Sequence, residues 1–197
     1  MDTQLDLMTA SRPEAPNLSL FLALFPDRAT IQRISEEVPG IRQLHGLTGK
    51  MRPLDHLHIT LHWIGDYPKV PEDLVQTVGQ ACKQVAVRVS PFEVRLDQVL
   101  SFRGRPGSNP LVLSGSDANN AKLTSLHQTL LIELAKVLPL KKGGLKFHPH
   151  LTLLYDKQSN IKAPANPVAW IADEIVLVCS EVGRTKYHRL GQWKLQA

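Results

Sequence analysis

The sequence predicts an α+β fold in which antiparallel sheets carry helices packed on their outer side. Three features indicate this class: apolar runs typical of strands, stretches with apolar residues at helical spacing, and turn-rich segments between them. At 197 residues with 43% hydrophobic side chains, the chain is long enough to bury a substantial core. We expect residues 1–16 to be a disordered leader and residues 17–197 to form a single domain.

The first part of the chain predicts a strand, a helix and a second strand. Residues 18–25 are almost continuously apolar, as in a buried strand, and Pro26-Asp27 opens a helix that ends at Pro39-Gly40. Residues 46–53 mix glycine, threonine and basic side chains without alternation, which indicates a loop. A strand with alternating side chains follows this loop and closes at Gly65.

The remaining elements repeat this pattern and then extend it. In chain order we predict a helix at 71–86, a strand at 92–100, a turn region at 103–110, a short strand at 111–114, a helix at 119–138, a basic loop, a second motif-bearing strand, a polar linker at 156–167, a strand at 172–180 and a final strand pair within 184–195. Each motif-bearing strand follows a strand and a helix, which predicts two similar lobes.

Two copies of one short pattern carry the functional signal. They are His58-Ile59-Thr60-Leu61 and His150-Leu151-Thr152-Leu153. Side chains alternate between the faces of a strand, so the His and Thr of each copy project together. Histidine exchanges a proton near neutral pH and a threonine hydroxyl binds a phosphate oxygen, so two such pairs indicate metal-free phosphodiester chemistry.

The residues around both copies separate into an apolar and a polar face. In the first strand Leu57, Ile59, Leu61 and Trp63 form the apolar face, and His56, His58, Thr60 and His62 form the polar one. In the second, Phe147, Pro149, Leu151 and Leu153 oppose His148, His150 and Thr152. We interpret His56, His62 and His148 as partly exposed residues at the rim of the site, and place His127 on a helix face far from the chemistry.

Charge and composition restrict the partners and the compartment. The formal net charge of +5 and the basic segments at 103–105, 141–146 and 184–186 favour a polyanion such as RNA. The longest apolar run, residues 18–25, is far shorter than a bilayer-spanning helix, and no signal peptide is recognisable, so we expect a soluble cytoplasmic protein. Cys82 and Cys179 lack a motif or partner cluster and are expected to be buried free thiols.

The motifs and their surroundings resemble the 2H phosphoesterase superfamily, and within it the RNA 2′,3′-cyclic phosphodiesterases, also called 2′-5′ RNA ligases. The resemblance includes the opening strand at 20–26, an extended HxTxxxxG motif from His58 to Gly65, a Pro-His-x-Thr-Leu motif at 149–153, and the basic-aromatic segment at 184–187. It implies a bilobal fold in which two antiparallel sheets face a central cleft. Each sheet would contribute one His/Thr pair.

The resemblance also implies an activity. The resemblance implies hydrolysis of a terminal 2′,3′-cyclic phosphate on RNA or a nucleotide to the 2′-phosphate, with reverse 2′-5′ joining as a side activity. His58 and His150 would act as general acid and base, although the sequence does not assign the two roles, and Thr60 and Thr152 would bind the nonbridging oxygens. No cofactor or metal is implied, and we expect a monomer.

One position departs from the family pattern. Many members carry an arginine three residues after the second Thr, where this chain has Tyr155. Replacement candidates for phosphate or substrate binding are Arg103, Arg105, Lys146 and Lys157, with Tyr155 itself as a neutral hydrogen-bond donor. Phe102 and Tyr187 are candidates for stacking on a base.

Two alternative functions stay open at the level of sequence. The HxH spacings at residues 56–58 and 148–150, together with His62, are compatible with a zinc site of a metal-dependent hydrolase. A nucleotide- or RNA-binding module of the same fold without turnover is the other alternative, which the change at Tyr155 keeps open.

Overall fold

The computed structural model describes residues 17–139 and 147–197. The predicted leader at 1–16 and the candidate Lys146 lie outside these residues. The strands are β1 Leu18–Leu24, β2 Ile59–Tyr67, β3 Phe92–Ser101, β4 Asn109–Ser114, β5 His150–Asp156, β6 Lys162–Ala172, β7 Glu174–Glu181 and β8 Lys186–Lys194. The α-helices are α1 Arg28–Leu44, α2 Glu72–Ala86 and α3 Ala121–Ala135, and a 3-10 helix η1 spans Leu54–His56.

The strands form one antiparallel sheet of eight in the order β6-β3-β4-β5-β2-β1-β7-β8. The predicted α+β class with antiparallel pairing is therefore confirmed, but the two separate sheets are not found. Within the sheet, β2 and β5 are adjacent and share a single registered residue pair, Ile59 opposite Leu151. The sheet thus consists of two four-stranded halves joined at the two strands that carry the His-x-Thr motifs.

The two halves repeat one arrangement, as the sequence predicts. In each, a strand and a helix precede the motif strand and the two strands pair: β1 with β2 around α1, and β4 with β5 around α3. Each half is completed by two further strands, β7 and β8 in one and β3 and β6 in the other. The motif strands occupy equivalent places, at the inner edge of each half.

The three α-helices of the described chain share one core on one side of the sheet. Ile34 of α1, Cys82 of α2 and Leu130 of α3 belong to the same buried cluster as Ile59 and Leu151. The opposite side, which we call the open face, has a much smaller apolar cluster around Phe21, Ala23, Val176 and Val178. The helices leave the open face accessible, and the candidate functional site lies there.

Two predicted boundaries are wrong for identifiable reasons. Helix α1 does not end at Pro39-Gly40 but continues to Leu44, because Val38 and Ile41 on either side of these residues still pack on the core. The predicted linker at 156–167 contains the first half of β6, which pairs with β3 at the edge of the sheet. An edge strand accommodates Pro164 and Pro167 because one of its sides has no partner strand to bond.

Two expectations from composition can be compared with the structure. Cys82 and Cys179 are both buried and free, as predicted, and burial raises the pKa of the Cys82 thiol to about 12. None of the helices within the described residues has the length and apolar character that crossing a bilayer requires.

Ile59 belongs to the one registered pair between β2 and β5, at the junction of the two halves, so the stability of the sheet should be sensitive to its side chain. Ile59 is 0% exposed, and we expect Ile59→Ala to lower the free energy of unfolding by about 2–5 kcal/mol, and Ile59→Val by only about 0.5–1.5 kcal/mol. Urea unfolding followed by circular dichroism measures both. Ile132→Ala, at a 63% exposed position on α3, is the matched control, with a change within about 0.5 kcal/mol. Equal effects at both isoleucines would contradict the role of this contact.

Candidate active site on the open face

The two motifs meet where β2 and β5 run side by side. Ile59 and Leu151 are fully buried against the helices, so the residues that flank them project to the open face. His58, Thr60, His150 and Thr152 all line one cavity of about 490 Å³ there. The structure thus brings together the four residues that the sequence singles out.

The register gives this cavity an approximate two-fold symmetry. With Ile59 opposite Leu151 in antiparallel strands, Thr60 lies beside His150, and His58 lies beside Thr152. Each histidine is therefore next to the threonine of the other motif. A phosphate between the strands would meet an imidazole and a hydroxyl on both of its sides.

The two imidazoles are oriented by the same type of hydrogen bond. Nδ1 of His58 lies 2.7 Å from the carbonyl oxygen of His56, and Nδ1 of His150 lies 2.7 Å from that of His148. A carbonyl oxygen only accepts, so Nδ1 carries the proton in both rings and a neutral ring has its lone pair at Nε2. Nε2 of His58 lies 3.1 Å from Oγ1 of Thr60.

Aromatic rings hold both histidines in place. Phe21 stacks on His58 with 5.0 Å between ring centroids, and Tyr187 contacts the same ring edge-on at 5.7 Å. Phe102 contacts His150 edge-on at 4.9 Å. These apolar walls shield the imidazoles from water on one side and leave the other side toward the cavity.

The surroundings favour neutral imidazoles. Burial lowers the pKa of His58 to about 4; the hydrogen bond to the His56 carbonyl opposes this shift, and the positive charge of Arg52 adds to it. Burial also lowers the pKa of His150, again against the effect of its carbonyl hydrogen bond. His58 is therefore a neutral imidazole at neutral pH, with the lone pair at Nε2.

The sequence pattern did not identify Arg52 as a site residue, and it placed the neighbouring His56 wrongly. Arg52 lines the cavity from the loop before η1, and its Nη2 donates to the hydroxyl of Tyr187 at 3.0 Å. His56 stacks on the Tyr187 ring, with 3.8 Å between centroids and 4° between planes. His56 is only 2% exposed, so its assignment to a partly exposed rim is wrong, because it ends a 3-10 helix and not a strand. The only sequence signal for Arg52 was its place among basic residues in a loop leading to the motif.

The other predicted substrate-binding residues divide into two groups. Tyr155 lines the cavity, and the stacking candidates Phe102 and Tyr187 both contact a motif histidine. Arg103 and Arg105 lie in an exposed turn, and neither lines the cavity; the same holds for the exposed Lys157. The structure thus separates these three cations from the His/Thr pairs.

Two irregularities in β2 overturn part of the predicted face assignment. The pairing of β1 with β2 shifts register between Leu22 and Ala23 and again between Leu20 and Phe21. His62 is consequently opposite Leu22, on the side of the helices, and Trp63 is opposite Phe21, on the open face. Each β-bulge interrupts the alternation by one residue, which the sequence pattern does not reveal.

A second cavity of about 870 Å³ adjoins the first, and both include Thr60 and His150. His127 lines it and stacks on Phe147, with 4.1 Å between ring centroids and 5° between planes. His127 therefore lies closer to the site than its predicted remote helix face, although it contacts no motif residue in the structure.

The arrangement does not favour the zinc alternative. Within residues 17–139 and 147–197 no group of three or more His, Cys, Asp or Glu side chains is arranged to hold a metal ion. His62, which that alternative requires, is opposite Leu22 in the register and so belongs to the other side of the sheet from His58.

Comparisons with known proteins agree with this geometry. A model of the 2′-5′ RNA ligase superfamily matches residues 26–184. The fold is similar to that of a crystallised phosphoesterase, with a TM-score of 0.71, 22% identity, and 91% of this chain and 99% of that chain covered. TT0787 of Thermus thermophilus has a TM-score of 0.69 at 22% identity, with 91% and 98% covered. Apo LigT of E. coli has a TM-score of 0.69 at 23% identity, with 93% and 100% covered. A search of curated proteins found no match.

The lowered pKa of His58 should make the protein less stable in mild acid. The unfolded chain takes up a proton near the ordinary histidine value of 6.5, whereas the folded protein does so only near 4, so stability falls as pH decreases through this window. The loss attributable to this residue is at most about 3.4 kcal/mol, since the pKa falls from 6.5 to about 4. We expect the His58→Gln variant to lose less stability than the wild type between pH 7 and pH 4.5 in urea unfolding. An equal loss in both proteins would contradict the shift.

Proposed function

This chain belongs to the 2′-5′ RNA ligase superfamily of 2H phosphoesterases, and from that premise we propose that it hydrolyses the terminal 2′,3′-cyclic phosphate of RNA or a nucleotide to the 2′-phosphate. The observation that carries the proposal is the presence of both His/Thr pairs in one cavity on the open face. In-line displacement at phosphorus puts the attacking water and the leaving oxygen on opposite sides. Two imidazoles on opposite sides of one phosphate serve both groups.

We assign the role of general base to His58. Its Nδ1–H donates to the His56 carbonyl. Because the pKa of the ring is about 4, Nε2 is unprotonated at neutral pH and accepts a proton from water. The water oxygen then forms the new bond to phosphorus. After this transfer His58 is a positively charged imidazolium.

His150 is the corresponding general acid. Its Nε2, protonated in the substrate complex, donates to the 3′ oxygen as the bond between phosphorus and that oxygen breaks. The negative charge of a bound phosphate raises the pKa of a neighbouring imidazole and so opposes the effect of burial on His150. The two histidines therefore exchange their protonation states during one turnover.

The two threonines would bind the phosphate, and the known ligands of a protein with this fold support a nucleotide or RNA substrate. The side-chain hydroxyl of Thr152 has no hydrogen-bond partner among the described residues, so it is available to a nonbridging oxygen, as is that of Thr60 once Nε2 of His58 binds water. LigT of E. coli, a protein of this fold, has been crystallised with phosphate and with 3′-AMP, which supports a nucleotide or RNA as ligand here. No step of this mechanism requires a metal ion, and a 5′-hydroxyl that attacks the cyclic phosphate in place of water would give a 2′-5′ phosphodiester, with the same 3′ oxygen as leaving group.

The proposal predicts that chelator-treated protein hydrolyses a 2′,3′-cyclic nucleotide and that His150→Ala lowers kcat/KM by roughly 10²- to 10⁴-fold, because the leaving oxygen then departs without a proton. Chromatography of the products measures the rate and distinguishes the 2′-phosphate from the 3′-phosphate. His188→Ala, at an exposed position that pairs with Glu181, is the matched control and should retain activity. Absence of product from the wild type, or full activity of His150→Ala, would refute the proposal. Nucleotide binding without product would instead favour a binding module.

The assignment of base and acid predicts an acidic optimum. Below pH of about 4 His58 is protonated and no longer accepts a proton from water, and above the lowered pKa of His150 the free enzyme lacks its acid. We expect a bell-shaped profile of kcat/KM with its maximum between about pH 4 and the ordinary histidine value of 6.5. The residual activity of His58→Ala should lack the acidic limb. A profile that still rises above neutral pH would contradict the assignment.

A further inference from the structure

The backbone of Arg52 is attached to the second motif strand, although the residue precedes the first motif. The N–H of Arg52 donates to the carbonyl of Leu153 at 2.8 Å, and Met51 forms a bridge with Leu154. These bonds continue the line of contact between β2 and β5 beyond Ile59 and Leu151. Arg52 therefore enters the cavity beside the end of β5, close to Tyr155.

The segment before Arg52 is fixed to the same strand by a buried carboxylate. Oδ2 of Asp156, a residue only 5% exposed, accepts hydrogen bonds from the backbone N–H of Thr48 at 2.8 Å and of Gly49 at 2.6 Å. Gly49 approaches so closely that a β-carbon would overlap the carbonyl oxygen of Tyr155. Charge-assisted hydrogen bonds to a carboxylate are strong, so the backbone that leads to Arg52 is held against β5.

Two aromatic side chains orient the guanidinium. Nη2 donates to the hydroxyl of Tyr187 at 3.0 Å and lies 3.4 Å from Nδ1 of His56, while Cζ lies 6.0 Å from the centre of the Tyr155 ring. His56 and Tyr187 are stacked on each other, so they form one rigid support. The other N–H groups of the Arg52 guanidinium have no hydrogen-bond partner within residues 17–139 and 147–197.

Arg52 also lacks a counterion. No carboxylate of the described residues lies within 4.0 Å of its guanidinium, although Asp55 is only three positions away in the chain. A half-buried cation without a carboxylate loses hydration and gains no ion pair, which is unfavourable unless an anion binds. Its charge is close enough to His58 to contribute to the lowered pKa of that residue.

We propose that Arg52 binds the nonbridging oxygens of the substrate phosphate and is the cation that position 155 does not provide. The identity of the substrate in this inference rests on the proposed function. The binding of phosphate does not, since a guanidinium with free N–H groups binds any phosphate in the same cavity. The planar guanidinium donates two parallel hydrogen bonds to a phosphate, which a lysine does not reproduce. The exposed Arg103, Arg105 and Lys157 lie outside the cavity and do not have this role.

The proposal is tested with inorganic phosphate, which binds without requiring turnover. Isothermal titration calorimetry of the whole protein should show phosphate binding at millimolar concentration and a loss of affinity of roughly 10- to 100-fold in Arg52→Gln, which corresponds to one lost charge-assisted contact. Arg52→Lys should be intermediate because it keeps the charge and loses the paired hydrogen bonds. Lys83→Gln, which removes one exposed positive charge from α2 on the opposite side of the sheet, is the matched control and should bind as the wild type does.

Thermal unfolding with and without phosphate separates binding from folding. Phosphate should raise the melting temperature of the wild type and of Lys83→Gln but not of Arg52→Gln, since a ligand stabilises only the protein that binds it. Should Arg52→Gln fail to fold, Tyr187→Phe removes only the hydroxyl that orients Nη2. This variant should bind phosphate several-fold more weakly with an unchanged melting temperature in the absence of phosphate.

The outcomes distinguish this proposal from the proposed function. Suppose that the wild type binds phosphate but does not hydrolyse cyclic phosphates, and that Arg52→Gln loses phosphate binding. This result would support the role of Arg52 and refute only the proposed activity. With an active wild type, the Arg52→Gln variant should show a raised KM as well as a lower kcat, which a purely structural arginine would not produce in a protein of unchanged stability. Phosphate affinity equal to that of the wild type in Arg52→Gln and Tyr187→Phe, or no phosphate binding by the wild type, would overturn the proposal.

Discussion

The antiparallel contact between Ile59 and Leu151 is the constraint on which the site depends. It is the only registered pair between β2 and β5, and it joins two halves that are otherwise held together by their own strands and by the common core. The same contact sets the positions of the histidines, one on each side of the pair. The geometry of the site therefore rests on this interaction, whose apolar side chains face the helices while the polar neighbours face the cavity.

The electrostatics of the cavity follow from what holds the imidazoles. Both Nδ1 atoms donate to a backbone carbonyl two residues earlier, and no carboxylate of the described residues bonds to either motif histidine. A carbonyl fixes the tautomer without the full negative charge that would raise the pKa strongly. Burial then dominates, and the unpaired Arg52 adds positive charge beside His58. A cavity of this kind favours an anion, which is the property that the proposed phosphodiester chemistry requires.

The loop before the first motif connects these two features. Asp156 binds the backbone of Thr48 and Gly49, and the bridge from Met51 to Leu154 extends the contact toward Arg52. The hydrogen bonds from the backbone of Gln158, Gly49 and Thr48 lower the pKa of the Asp156 carboxyl, so this anchor stays charged over the pH range in which the histidines titrate. The loop is thus a structural part of the second motif strand, although the sequence presents it as an irregular approach to the first.

The sequence by itself determined the features that depend on neighbouring residues. Alternation placed His58 with Thr60 and His150 with Thr152 opposite the buried Ile59 and Leu151, and the order of strand, helix and motif strand predicted the two similar halves. Only the tertiary structure decided what depends on pairing between distant segments. Bulges against β1 put Trp63 on the open face, the halves joined into one sheet, and the loop at residue 52 docked on β5. Register and docking are set by contacts between residues that are far apart in the chain. The local pattern that identifies a strand does not show which strand it pairs with.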